Sequence, residues 1–154
     1  MIAMSLSAET IARRWFDEVW NQKRNDTIDE LFGPDAVGHG LGESEAPIHG
    51  PEEFRVFFRN MVDSFPDCHI TIEDIVMDGD KAAVRFAFEG THKGAGLGIA
   101  PTGRRIRVQG MTMLKARDSK IVEGYNIWDQ HGMLRQLGVY EKAEAAPQDR
   151  FFGQ

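Results

Sequence analysis

The chain changes its hydrophobic period once. Up to Phe65 the apolar residues recur at helical spacing, and from His69 onward they alternate. Ile11, Ala12, Trp15, Phe16, Val19 and Trp20 fall on one helical face, with Ser7 placed to cap the helix, Glu9 in its first turn and Asn21 at its end. Asp26 to Phe32 reads as a short amphipathic helix stopped by Gly33-Pro34. Ala36-Val37 leaves room for only a short strand, and residues 38–50, GHGLGESEAPIHG, read as a loop. Pro51, Glu52 and Glu53 then open a helix whose apolar face is built from Phe54, Phe57, Phe58, Met61, Val62 and Phe65.

The alternating half predicts four strands. His69 to Met77 and Lys81 to His92 flank the tight turn Asp78-Gly79-Asp80. Residues 93–103, KGAGLGIAPTG, form a flexible connector to a third strand, Arg104 to Arg117, and Asp118-Ser119 turns the chain into the fourth. In that last strand, strict alternation puts Ile121, Tyr125, Ile127 and Asp129 on one face and Trp128 on the other. Helices followed by an antiparallel meander give an α+β fold, in which the helices pack one face of a twisted sheet and leave a funnel at its open end. One domain is expected over residues 1–143, followed by a loose tail at 144–154 whose Phe151-Phe152 has the character to dock on a partner subunit.

Composition narrows the partners. The net charge is −6 and no basic patch tracks a phosphate backbone, so nucleic acid is not an expected partner. No apolar run reaches membrane-spanning length, and the N-terminus has no basic segment leading an apolar one, so no membrane span or signal peptide is expected. The single cysteine, Cys68, fits a reducing compartment and a cytoplasmic location.

Candidate chemistry centres on Asp129. An acid on an apolar strand face is costly unless it finds a partner or takes up a proton. His92 shares the parity of Val84, Phe86 and Phe88 and points to the same side. His39 and His49 lie in the glycine-rich loop with Glu43 and Glu45, but their spacing matches no metal-site pattern, so no metal is expected. The stretch Gly98 to Arg105, GIAPTGRR, imitates a phosphate loop but leads into a strand and lacks the helix N-terminus that would bind the anion. No cofactor is expected.

Several short motifs in order resemble the SnoaL-like polyketide cyclases, a branch of the nuclear transport factor 2-like superfamily. They are Phe65-Pro66-Asp67 before Ile70–Ile75, Gly79-Asp80 with Val84-Arg85, and Gly90-Thr91-His92 with Pro101-Thr102-Gly103-Arg104. The last runs from Ile121-Val122-Glu123 through Asp129 to Gln136-Leu137-Gly138. The resemblance implies a cone-shaped α+β barrel that dimerises through its sheet. It also implies a cofactor-independent intramolecular aldol ring closure of a small hydrophobic or polycyclic carbonyl compound. Asp129 occupies the family's general acid/base position, and His39 matches a pocket histidine. The cyclases also use a histidine on the penultimate strand; Ile106 to Arg117 contains none, which leaves His92 or His39 to assist. Tyr125, Ile127, Trp15, Phe58 and Met113 are the expected pocket wall. Two alternatives stay open: a non-catalytic small-molecule binding module, and an enzyme like ketosteroid isomerase or an epoxide hydrolase.

Overall fold

A computed structural model describes residues 4–42 and 44–141; the expected tail at 144–154 and Glu43 lie outside the described residues. The first helix, α1 (Ala8–Arg14), runs directly into a π-helical segment (Trp15–Asn21). Ser7 caps it as expected, accepting from Thr10 N–H at 3.1 Å. The wider turns still leave Trp15, Phe16, Val19 and Trp20 buried together. Next come α2 (Asn25–Leu31), β1 (Phe32–His39), β2 (Ile48–His49) and α3 (Gly50–Ser64). The meander follows: β3 (His69–Asp78), β4 (Lys81–Thr91), β5 (Arg105–Arg117) and β6 (Lys120–Trp128), ending in α4 (Gln130–Gln136). None of the helices among the described residues is long and apolar enough to cross a membrane.

The strands form one six-stranded sheet in the order β2-β1-β6-β5-β4-β3. The expected meander accounts for β3 to β6. Two further strands join them: β1, longer than the short strand expected at Ala36-Val37, and β2, which was not expected. α2 ends at Leu31, just before Gly33-Pro34 as expected, and that pair lies inside β1, which joins parallel to β6 with an irregularity between Phe32 and Val37. Ile48-His49 pairs back on β1 from within the expected loop. In β5 burial alternates along the whole strand. Ile106, Val108 and Leu114 face the helices, and Met111 and Met113 face out, both about half exposed.

Strand β6 breaks the alternation. Ala116 pairs with Ile121, but Lys115 pairs with Glu123, so Val122 is an extra residue on the β6 side. A one-residue bulge moves every later side chain to the opposite face. Ile121 is buried against the helices, yet Tyr125 and Ile127 are 54 % and 81 % exposed on the outer face. Gly124, Asn126 and Trp128 point inward instead.

Beyond Trp128, β5 continues without β6 as its neighbour. Asp129 N–H donates to the Gln109 carbonyl at 3.0 Å. One step further, the Gln136 side-chain amide takes the place of a strand: it accepts from Arg107 N–H at 2.9 Å and donates to the Arg107 carbonyl at 3.0 Å. Leu137 is buried behind it, and Gly138 takes a φ of 84°, with a Cβ there falling 2.5 Å from the Arg104 guanidinium.

Candidate functional site

The helices and the concave face of the sheet enclose an apolar cavity. Trp15, Phe16 and Trp20 enter it from the first helix, Phe54 and Phe57 from α3, and Phe86 and Phe88 from β4. The aromatic rings brace one another: Trp15 lies 4.8 Å from Phe54 and 5.6 Å from Phe32, and Phe16 lies 5.3 Å from Phe86, measured between centroids. The cavity volume is about 80 Å³, and the cavity is open to solvent rather than closed, so a larger ligand can enter with part of it left outside. Leu41 stands on the loop after β1, and the link from Trp128 Nε1 to its carbonyl is long, at 3.4 Å.

None of the described residues that line the cavity is ionisable. Its polar feature is a pair on adjacent strands. Thr112 hydroxyl donates to Asn126 Oδ1 at 2.7 Å, and Asn126 Nδ2 donates to the His39 carbonyl at 2.9 Å. A carbonyl can only accept, so the end of the amide facing it must be nitrogen, and Thr112 then faces the oxygen. Sequence reasoning missed Asn126, because strict alternation put it on the solvent side. The usable signal was Trp128, an aromatic at the same parity.

The expected site residues separate into three places. Trp15 lines the cavity, as expected. Phe58 does not; it is buried behind the wall, 5.2 Å from the Trp20 ring, and its neighbours Phe54 and Phe57 take the cavity side. Met113, Tyr125 and Ile127 are corrected to the outer face: β5 points Met113 outward, and the bulge turns the other two out beside it.

Asp129 does not lie on the inner face expected from strict alternation. It is exposed and sits at the N-cap of α4, where its carboxylate accepts from Gly132 N–H at 2.8 Å. The helix N-terminus and solvent supply what an apolar face would have withheld. His92 is fully buried on the expected side of β4, but packs against Phe65 outside the cavity. Its Nδ1 accepts from Thr102 N–H at 3.2 Å, which ties down the end of the connector before β5.

His39 lies on the outer face rather than in the cavity. Its ring stacks on Tyr125 at 4.4 Å, and its Nε2 lies 3.0 Å from Glu123 Oε2, which also accepts from the Tyr125 hydroxyl at 3.2 Å. The hydrogen bond from His39, assisted by the one from Tyr125, holds the Glu123 carboxyl below its ordinary range. The Glu123 charge in turn pushes the Tyr125 phenol up. Arg104 pairs with Glu141, and Arg105 with Glu89 and Asp67, so both arginines of the phosphate-loop imitation are held by carboxylates. Burial pushes the Cys68 thiol up, consistent with a packing role.

Comparison with known proteins agrees with this architecture. The chain is 27 % identical over 135 residues to the aklanonic acid methyl ester cyclase AcmA of Streptomyces galilaeus, covering 86 % of this chain and 92 % of that one. The crystal structure of IdmH from Streptomyces antibioticus superposes with a TM-score of 0.76 at 32 % identity, covering 86 % of this chain and 99 % of that one. A SnoaL-like protein of Jannaschia sp. CCS1 shares the fold at a TM-score of 0.79 and 20 % identity, over 96 % and 99 % of the two chains. A family model described as SnoaL-like polyketide cyclase matches residues 10–137, from the first helix through the Gln136-Leu137 that closes the edge of β5. By that match and by its fold, the chain belongs to the SnoaL-like polyketide cyclase family.

Proposed function

We propose that the chain binds a conjugated polyketide-type ketone or ester in the aromatic cavity and closes a ring in it by a cofactor-independent aldol step. The observation that carries this reading is the cavity: aromatic walls around a hydrogen-bonded pair, Thr112 and Asn126, in a SnoaL-like domain. Such walls fold a flexible conjugated chain and hold its reacting carbons together, and positioning of this kind supplies up to roughly 7–11 kcal/mol of a barrier. The step is balanced within the substrate. A carbon next to one carbonyl loses a proton, attacks a second carbonyl, and the new alkoxide takes up a proton.

The proton transfer is assigned to Asp129, whose chain neighbour Trp128 is part of the cavity wall. Reaching the cavity requires the carboxylate to leave Gly132 N–H and turn inward past Trp128. Asp129→Asn tests this cleanly, because asparagine caps a helix as well as aspartate does but cannot take up the proton. With aklanonic acid methyl ester as the trial substrate, the wild-type protein is expected to give a product of unchanged mass and altered retention. Asp129→Asn is expected to lose at least about 100-fold of that rate. Full activity in the variant removes Asp129 from the mechanism.

The absence of an ionisable side chain among the described cavity residues favours a second reading, a binding module that holds the ligand unchanged. Recovery of the bound ester intact after prolonged incubation would select it. In either reading, pairing of two copies through the sheet would cover Met111, Met113, Tyr125 and Ile127 on the outer face.

A further inference from the structure

Asparagine 126 has more hydrogen-bonding capacity than its protein contacts use. Its Oδ1 accepts from Thr112 and one Nδ2 hydrogen is given to the His39 carbonyl. The amide nitrogen carries two hydrogens, and the second has no acceptor among the described residues. The two existing bonds fix the plane of the amide, so the direction of that second N–H is set before any ligand arrives.

The space in front of it is kept open by a glycine. Gly124 lies two residues earlier on the same inward face of β6. A Cβ built on it would meet only one atom within 4 Å: Asn126 Nδ2, at 3.8 Å. Its backbone is not in the left-handed region, so no turn requires glycine at this position. The missing side chain leaves a notch beside an unused donor in an otherwise apolar cavity. Elsewhere on the molecule, a second cavity is lined by Lys81, Lys115, Glu123 and Tyr125, and the unpartnered Nε2 of His92 does not line the aromatic cavity.

We propose that Asn126 Nδ2–H and the notch over Gly124 form a subsite for the carbonyl oxygen of the ligand. This rests on the reading of the cavity as the ligand site and adds to it the group that orients the ligand. The site selects an unprotonated, acceptor-only oxygen, such as that of an aryl ketone or an ester. A hydroxyl oxygen can accept from the same N–H, but its own hydrogen must compete with Thr112 for Asn126 Oδ1. If the bound carbonyl becomes an enolate, the same hydrogen meets a growing negative charge among apolar walls, where a preset donor is most effective.

The test uses 1-indanone, a small bicyclic aryl ketone, and indane, its hydrocarbon counterpart. Neither requires turnover, so the outcome is separate from the role of Asp129. Asn126→Leu is expected to weaken 1-indanone about tenfold, equivalent to 1.4 kcal/mol, and to leave indane within about twofold. Gly124→Ala, an ordinary contact that fills the notch, is expected to weaken 1-indanone in the same sense. In the 15N-labelled wild-type protein, 1-indanone is expected to move one Asn126 side-chain amide proton and leave its His39-bonded partner in place, while indane moves neither. This holds even if Asn126→Leu does not fold.

Equal weakening of both compounds, or undisturbed Asn126 protons on ketone binding, overturns the subsite alone. If neither compound binds, the cavity reading fails and the subsite falls with it.

Discussion

The two faces of the sheet reverse what hydrophobicity alone suggests. The inner face of β6 carries Gly124, Asn126 and Trp128, and the outer face carries Tyr125 and Ile127. Tyr125 and Ile127 therefore stand outside, while a glycine and an amide share the inner face with Trp128. A cavity explains the inversion. A packed core face would be filled by large side chains, whereas a face that must leave room carries a glycine and an amide. None of the described residues lining the cavity is ionisable; the outer face holds the His39–Glu123–Tyr125 cluster and a set of exposed apolar side chains.

The contrast rests on register, so shifting it has the largest expected effect. Inserting one alanine after Glu123 moves every later residue of β6 by one position and forces Tyr125 and Ile127 inward. The expected result is loss of cooperative unfolding, read by urea titration; a native-like transition would mean that register does not set the faces.

Side-chain truncation gives the next step down. Phe54→Ala on the inner side should cost about 3–5 kcal/mol, while Tyr125→Ala outside should cost less than about 1 kcal/mol. Similar losses at the two positions would erase the distinction.

Acid separates the faces more finely. Glu123 titrates below its ordinary range in the folded protein. Its contribution is therefore present above that range and is lost as pH falls through it toward the lowered value. The stability difference between wild type and Glu123→Gln should shrink as pH is taken from 6 toward about 3, because the unfolded carboxyl titrates near 4.3. A constant difference would show that the cluster does not act through charge.

The smallest effect on the monomer is expected from Ile127→Ser, within about 0.5 kcal/mol. If two copies meet on this face, the same change should dissociate them in sedimentation velocity. A wild-type protein that sediments as a monomer removes that pairing.

The helices before the meander, the meander and the family were legible because each announces itself locally, whereas α4 was not read. Ser7 as a cap, the Phe54–Met61 face and the glycine turn at Gly79 each need only a few neighbouring residues. The site was not legible, since it depends on register between strands. Nothing around Val122 marks it as a bulge, and every assignment downstream of it inherited the wrong face, Asp129 and Tyr125 included. His39 failed for a related reason. Its inward or outward aim is fixed by a parallel pairing to Tyr125, which lies far along the chain. Trp15 could be placed on the inner side because helical spacing on one element decides its side.

The Gln136 amide has a consequence for life in a crowded solution. Where β6 leaves off, the backbone of β5 at Arg107 would otherwise present a free donor and acceptor to any passing strand. A single side chain occupies both, and Asp129 N–H occupies the Gln109 carbonyl next to it. The exposed rung is closed against recruitment into intermolecular β-structure. Gln136 is thus a guard against aggregation, and a chain lacking that amide would keep its cavity while acquiring an adhesive edge.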